Sequence, residues 1–559
     1  MKKILNYILL STICTGLWGL SSCSSFLEEN NKNTVTADVF YKTTEGIESL
    51  VNSCYAPTRI WYGKTVGYLL TEAGTDEMQF GNTANGSYPY FDYNSNLQAT
   101  EGGLIFVWKS FYRGINTCNT AIARIKNSPL PANLKAIREG EVRFLRAFYY
   151  YHLVETFGAI PLRTQETTEP EITALRAPVD EVYKLIFSDL ETALTTIKGV
   201  VTPQGGRITE PAVAAFLARL YLTRDKNTEA LAMADRVIKS YDFKLTENYK
   251  ALWDIANSSG STNKEVIWFV NYSENNTLND YGRYDDLGYY WLWEGGHHGH
   301  LMFIPYFNGL KGWQYDLESG RSLLQYMPSK YLIDLYDETK DARWAGSFRT
   351  VWWANDPTTL PAGMKLGDTI AVVSKRAVTD TYRKSKPYTI YDANDVYQAN
   401  GVPVIPRWRY AGLWKFADPS RSAKDVVNSK RDAFVFRLSE MYMIAAEASM
   451  KLGNTGSAAD YVNVVRKRAA LPGKSDQMIV KATDMTLDFM LDERAREFVG
   501  EQLRWFDLKR TGKLIERLAK YNLDAAPNVK SYHLMRPIPR VEIDVLQNKT
   551  EFVQNPGYN

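Results

Sequence analysis

Two stretches of the chain repeat one design. AVAAFLARLYLTRDKNTEALAMADRVIKS (212–240) and FRLSEMYMIAAEASMKLGNTGSAADYVNVVRKRA (436–469) each read as an alanine-rich helix, a short polar turn and a second helix. A conspicuous alanine follows each turn: Ala230 in the first, Ala458 and Ala459 in the second. Small side chains at such places let antiparallel helices approach closely, as in tetratricopeptide hairpins. One hairpin cannot bury both of its faces, so several must stack. Generic antiparallel helix packing is the plainer account of the same pattern. Helical periodicity also runs through 106–127, 134–157, 178–197, 483–499 and 501–519, with 106–157 as a further, divergent pair. Residues 37–56 read as one helix with Asp38 as N-cap and Val39, Ile47, Leu50 and Val51 on one face. The second hairpin region is expected to be helical from about 434 onward. The expected fold class is all-α: a tetratricopeptide-like helical hairpin scaffold with irregular, loop-rich insertions.

Those insertions are two blocks, 57–103 and 250–430, that lose helical periodicity and fill with Gly, Asn, Tyr, Trp and Pro. The chain carries 36 Tyr, 23 Phe and 14 Trp; the excess of tyrosine matters because Tyr and Trp join an apolar face to a polar edge and suit contacted surfaces. Sugar rings present apolar C–H faces that stack on such rings, and their hydroxyls need polar partners. Binding residues concentrate on loops held by a rigid scaffold, so the candidate ligand residues lie in these blocks. The first block offers Trp61, beside Tyr62, and Asp76, beside Glu77, in TDEMQF. The second offers Tyr290, Trp291 and Trp293, then Trp313 and Tyr315, then Arg349 close to Trp352 and Trp353. Trp291 and Trp293 point the same way if their segment is extended. For any single aromatic, core packing competes with ligand contact.

The chain starts with Met1 to Lys3, a short basic segment, and an apolar run from Ile4 to Leu20 that is broken by Ser11, Thr12, Gly16 and Gly19. That is a secretory signal, too short and interrupted for a bilayer span. Leu20-Ser21-Ser22-Cys23 resembles a bacterial lipobox, which implies cleavage before Cys23 and lipidation of it. Two or more acyl chains, at about 0.8 kcal/mol per buried CH₂, hold a protein on a membrane. Glu28 and Glu29 resemble the acidic signal that sends Bacteroidetes lipoproteins to the cell surface. The expected organisation is a signal peptide over 1–22, a lipidated tether over 23–37 and a body over 38–559. The body's helical scaffold falls mainly in 106–240 and 434–520.

The 559 residues are 45% hydrophobic and 23% charged, enough for a full core. Net charge is +3, and loss of Lys2 and Lys3 with the leader makes it +1, which gives no argument for nucleic acid. Cys54 and Cys118 fall in helical segments, where pairing and two buried thiols are equally open. His297, His298 and His300 form HHGH, which lacks the HExxH pattern of a zinc site. A Gly-flanked loop that positions its aromatic neighbours is the better reading. There is no G-x-S-x-G elbow, and no acid pair stands out for glycoside hydrolysis. No catalytic residue, metal or cofactor is expected.

EVRFLRAFYYYHLVETFGAIPL (141–162), FRLSEMYMIAAEA, LDERAREFVGEQLRWFDLKRTGKL (491–514) and PIPRVEIDVLQN…QNPGY (537–558) resemble motifs of the SusD/RagB family of Bacteroidetes surface lipoproteins. The match runs from lipobox to C-terminus in the expected order. The resemblance implies the helical scaffold described above and an elaboration bearing the ligand site. It also implies pairing with a SusC-like TonB-dependent outer-membrane transporter, over which the lipoprotein acts as a lid. The usual cargo is an oligosaccharide, sometimes a peptide; a surface glycoside hydrolase is the reading from another class. The residues of the motifs themselves look structural. Leu145, Phe148, Tyr149, His152 and Leu153 follow a core stripe, which makes His152 a packed core histidine. Glu493, Glu497 and Glu501 share a helical face and require arginine partners, expected from Arg494, Arg496, Arg504 or residues 143–146.

Overall fold

The computed structural model describes residues 36–81, 88–202, 204–279, 295–322 and 326–558. Cys23 and the tether as far as residue 35 lie outside the described residues. The helices of seven residues or more are α1 (Thr44–Tyr55), α2 (Thr65–Thr71), α3 (Gly102–Ile125), α4 (Ala132–Phe157), α5 (Val179–Thr196), α6 (Glu210–Thr223) and α7 (Asn227–Ser240), followed, beyond the second irregular block, by α8 (Leu438–Lys451), α9 (Thr455–Arg468), α10 (Leu487–Phe498), α11 (Arg504–Arg510) and α12 (Leu514–Tyr521).

The two sequence repeats form two hairpins, α6–α7 and α8–α9, and they stack on each other through α7 and α8. Ala230, Ala458 and Ala459 are buried, as close helix approach requires. Helices α3, α4 and α5 pack in succession to extend the layer, and α5 reaches α6. Cys54 on α1 and Cys118 on α3 are buried, unbonded thiols that touch, and burial raises the Cys54 thiol well above its ordinary value. His152 sits in the core, edge-on to Trp61 at 4.6 Å and 4.3 Å from the Phe148 ring. Burial lowers it to about 3, so the ring is neutral.

Three helix expectations change. The segment 37–56 breaks into Ala37–Phe40 and α1, because the Thr43 side chain accepts a hydrogen bond from Gly46 N at 3.0 Å and caps a new start. Thr43 is therefore the side-chain cap of α1, Asp38 falls inside the first, four-residue helix and not at its N-cap position, and Val39 is 59% exposed instead of joining the buried face. Residues 433–437 are a strand, not the first turn of α8; AFVFR is rich in the aromatic and β-branched residues that suit a sheet. The expected 501–519 helix divides into α11 and α12 at Gly512, whose φ of +69° ends α11.

Among the described residues the irregular blocks carry eight short strands, β1 (Met78–Phe80), β2 (Val266–Val270), β3 (Tyr326–Pro328), β4 (Phe348–Arg349), β5 (Val351–Trp353), β6 (Thr369–Val373), β7 (Thr389–Tyr391) and β8 (Gly412–Leu413), and β9 (Ala433–Arg437) follows just after the second block. They pair as β1–β3, β2–β9 and β4–β8, and as one three-stranded sheet in the order β5–β6–β7. Strand β9 runs straight into α8, so the elaboration and the second hairpin share a covalent and a hydrogen-bonded seam.

A buried ion network reinforces that seam. Glu493 meets Arg343 at 2.8 Å, Arg466 at 2.5 Å and Arg496 at 2.7 Å. Glu497 meets Arg437 at 2.7 Å, Arg468 at 2.5 Å and Arg343 at 3.2 Å. Glu501 meets Arg437 at 2.7 Å and Lys415 at 2.8 Å, and Glu265 meets Arg437 at 2.9 Å and Arg468 at 2.7 Å. Of the partners expected from the sequence only Arg496 takes part. Arg494 binds Asp507, Arg504 binds Asp76, and Arg143 and Arg146 bind Asp189. Burial alone would raise the Glu497 carboxyl, but Arg468, Arg437 and Arg343 outweigh it and hold it at about 2. Glu493 is likewise held well below the usual carboxylate range, burial being outweighed by Arg343, Arg496 and Arg466.

A carboxyl lowered on folding stabilises the fold above its unfolded value of about 4.3, and that contribution is lost as pH falls toward its folded value. The network's own contribution, read as the gap in thermal unfolding between wild type and E497Q, should therefore hold from neutral pH to about pH 5 and shrink in stronger acid. E497Q leaves buried guanidinium groups uncompensated and should cost about 3–5 kcal/mol in urea unfolding at neutral pH. An unchanged unfolding midpoint in E497Q would show that the network does not hold the seam.

Candidate ligand-binding site

Strand β5 sorts its two tryptophans by the period of an extended chain, in which successive side chains face opposite ways. Trp352 points inward and is buried, stacked on Phe307 with ring centroids 3.7 Å apart. Trp353 points outward and is 44% exposed. Strand β4 delivers Arg349 to the same place through its antiparallel pairing with β8, in which Arg349 faces Gly412. Just past β8, Trp414 donates its backbone N–H to Ser347 O at 2.6 Å. The next residue, Lys415, enters the buried network, donating to Glu497 O at 3.0 Å and to Glu501 at 2.8 Å. The scaffold therefore fixes Trp414 from one residue away.

The Arg349 guanidinium lies 4.7 Å from the Trp414 ring, 5.5 Å from Trp353 and 5.6 Å from Trp352. Its Nε donates to Val351 O at 3.1 Å. Its Nη1 is buried and has no hydrogen-bond partner among the described residues. Burial works against the Arg349 charge, while Glu318 and Asp316 favour it. Arg349, Trp353, Trp414, Trp253 and Glu318 line one cavity of about 510 Å³. That volume falls inside the range of about 300–1,000 Å³ for small-molecule sites. Indole faces, a guanidinium with a spare donor and a nearby carboxylate can stack on a sugar ring and hydrogen-bond its hydroxyls.

Of the residues picked from the sequence, Arg349 lines this cavity. Trp313 and Tyr315 do not line it: Trp313 is buried between Phe307, at 6.3 Å, and Tyr315, at 4.6 Å. They back the Phe307–Trp352 stack, so Trp313 serves as support and not as a stacking surface. Trp61 is corrected to a core residue: it is fully buried and packs on Phe111, His152 and Phe506. Asp76 is corrected likewise. It is buried and bound by Arg504 at 2.7 Å and Arg517 at 2.6 Å, which leaves no oxygen for a ligand. Burial pushes its carboxyl up, but those two arginines more than offset this. Glu77 joins Arg504 at 3.0 Å. Tyr290, Trp291 and Trp293 lie outside the described residues.

Trp414 and Glu318 were missed. Each stands alone in an aperiodic segment, and only the β4–β8 pairing and the 308–322 loop bring them to Arg349. The histidine trio is structural: His297, His298 and His300 are all buried, and His298 Nδ1 sits 3.0 Å from Thr65 Oγ1. Burial lowers His300 to about 3. The loop is flanked as expected by Gly295, at φ +65°, and the His297 ring packs 5.5 Å from Phe416. Among the described residues no grouping of His, Cys, Asp and Glu could hold a metal ion. No helix among them is long and apolar enough to cross a membrane.

Comparison with known proteins agrees with this architecture. A family model described as "SusD family" matches residues 264–558, and one described as "Starch-binding associating with outer membrane" matches 25–222. SusD-like protein P25 of Formosa agariphila is 24% identical, over 98% of this chain and 97% of its own. The starch-binding protein SusD of Bacteroides thetaiotaomicron is 23% identical, over 75% of this chain and 73% of its own. Among solved structures, a laminarin-binding SusD-like protein superposes with a TM-score of 0.69 at 23% identity, covering 93% of this chain and all of that one. Surface glycan-binding protein A of the same Bacteroides species, in complex with laminarihexaose, gives 0.66 at 22% identity, covering 92% of this chain and 99% of that one. These structural likenesses establish the fold: a stack of helical hairpins carrying a loop-rich elaboration. With the first of the two family models spanning more than half of its length, the chain belongs to the SusD family.

Proposed function

We propose that the protein is a cell-surface glycan-binding subunit. It captures an oligosaccharide in the Arg349–Trp353–Trp414 cavity and passes it, uncleaved, to a SusC-like TonB-dependent transporter in the outer membrane. A lipid on Cys23 holds it there, with the body facing outward. The observation that carries the binding reading is the buried Arg349 Nη1 beside two cavity-lining indoles, a donor with no partner among the described residues. An unpaired buried donor costs about 1–3 kcal/mol, a cost that a ligand hydroxyl would remove. Relatives named for starch and laminarin binding support the same ligand class.

Titration of a soluble form lacking residues 1–23 with laminarin and maltoheptaose tests this. W414A and R349A should each weaken binding of the recognised glycan by about 1–3 kcal/mol, with W353A between them and wild type. Equal affinity in all three variants would move the site elsewhere, and release of reducing sugar would make the protein an enzyme. The anchor is tested by expressing the full chain in a Bacteroidetes host. The wild type should fractionate with the outer membrane, copurify with a β-barrel transporter and incorporate labelled palmitate. C23A should lose the label and leave the membrane fraction; retention of either would refute the anchor.

A further inference from the structure

The three-stranded sheet has two edges, and the cavity above lies at one of them. At the other, past β7, a second cavity of about 400 Å³ is lined by Tyr391, Trp408, Arg409 and Tyr410, with Arg383 and Asp395 at its polar side. We propose that this is a second carbohydrate subsite, and that one glycan chain engages both cavities at once. The inference rests on the binding reading above and adds the length of the recognised chain.

Three features suit this cavity to a sugar. Trp408 is 39% exposed and is held by the Tyr306 ring, 5.3 Å away and nearly edge-on, so its free surface is a fixed platform. Tyr410 is fully buried, yet its hydroxyl has no hydrogen-bond partner among the described residues, and the residue lines this cavity. A buried hydroxyl without a partner is costly, and a ligand hydroxyl reaching it would supply both a donor and an acceptor. Arg383 pairs with Asp395 at 2.9 Å and Asp392 at 2.8 Å, which adds charged, hydrogen-bonding groups to the lining that holds the rings.

The two cavities share a rigid partition. Phe307 stacks on Trp352 of β5 and lies 6.0 Å from Tyr391 of β7. Arg409 covers the Phe307 ring at 5.0 Å and the Tyr391 ring at 5.8 Å. With neighbouring strands about 4.8 Å apart, β5 and β7 lie roughly 10 Å apart across the sheet. Stacking surfaces fixed at both edges of so narrow a sheet favour an extended chain over a short one, because the second contact forms at high effective concentration.

The experiment measures affinity for laminaritriose, laminarihexaose and long laminarin, with a maltose series beside them, for wild type, W414A, W408A and Y410F. Wild type should bind long chains at least tenfold more tightly than the trisaccharide. W408A should remove most of that gain while leaving trisaccharide binding unchanged, and Y410F, a substitution of one oxygen, should remove part of it. W414A should weaken all lengths. If W408A and Y410F bind every length as wild type does while W414A is impaired, the second subsite is refuted and the first stands. Loss of glycan binding at every length in W408A, with an unchanged melting temperature, would place a single site at Trp408 and also overturn the proposal. If wild type binds none of these glycans, both readings fall together.

Discussion

Four buried glutamates, Glu265, Glu493, Glu497 and Glu501, are the joint on which the rest of the molecule is hung. Their partners arrive from every part of the C-terminal half: Arg343 and Lys415 from the elaboration, Arg437 from the end of β9, Arg466 and Arg468 from α9. Taking so many charges out of water is costly unless each one finds a counter-charge and hydrogen bonds in the right geometry. The network thus tolerates little displacement of its members. It specifies one relative placement of hairpin and elaboration, which generic apolar packing between the same surfaces would leave looser.

The candidate site inherits that specification over one peptide unit. Lys415 is committed to Glu501, and Trp414, its neighbour, is held toward Arg349. On the other side, β5 and its inward Trp352 are locked by the stack with Phe307. The cavity is therefore made of side chains whose backbones are fixed from behind, a condition for binding without a large ordering cost. The same Phe307 stack forms the partition to the cavity at Trp408, so one small sheet presents aromatic surfaces at both edges.

Asp76 and Trp61 show how a plausible surface residue is absorbed by the interior. Both sit in a block with little helical periodicity, next to Gly- and Asn-rich sequence, the setting in which exposed binding residues are found. Yet Arg504 of α11 and Arg517 of α12 close on Asp76, in the turn before β1, from positions more than four hundred residues away in sequence. Trp61 fills the space between α3, α4 and α11, against Phe111, His152 and Phe506. Neither partnership leaves a local trace.

By itself the sequence determined the helical hairpins, the alanines that let them close, the core role of His152, the presence of an ion network and the blocks that hold the irregular elaboration. Periodicity, small residues and like charges spaced along one helix are local signals, and local signals survive in a linear string. The family resemblance was legible for the same reason, since several of its motifs fall on helices of the scaffold. Only the tertiary structure decided which arginine meets which glutamate, which tryptophan of the Trp352–Trp353 pair faces out, and that Trp414 belongs beside Arg349. Those are contacts between segments far apart in the chain, set by strand pairing and by the need to match buried charges, and no spacing within one segment encodes them.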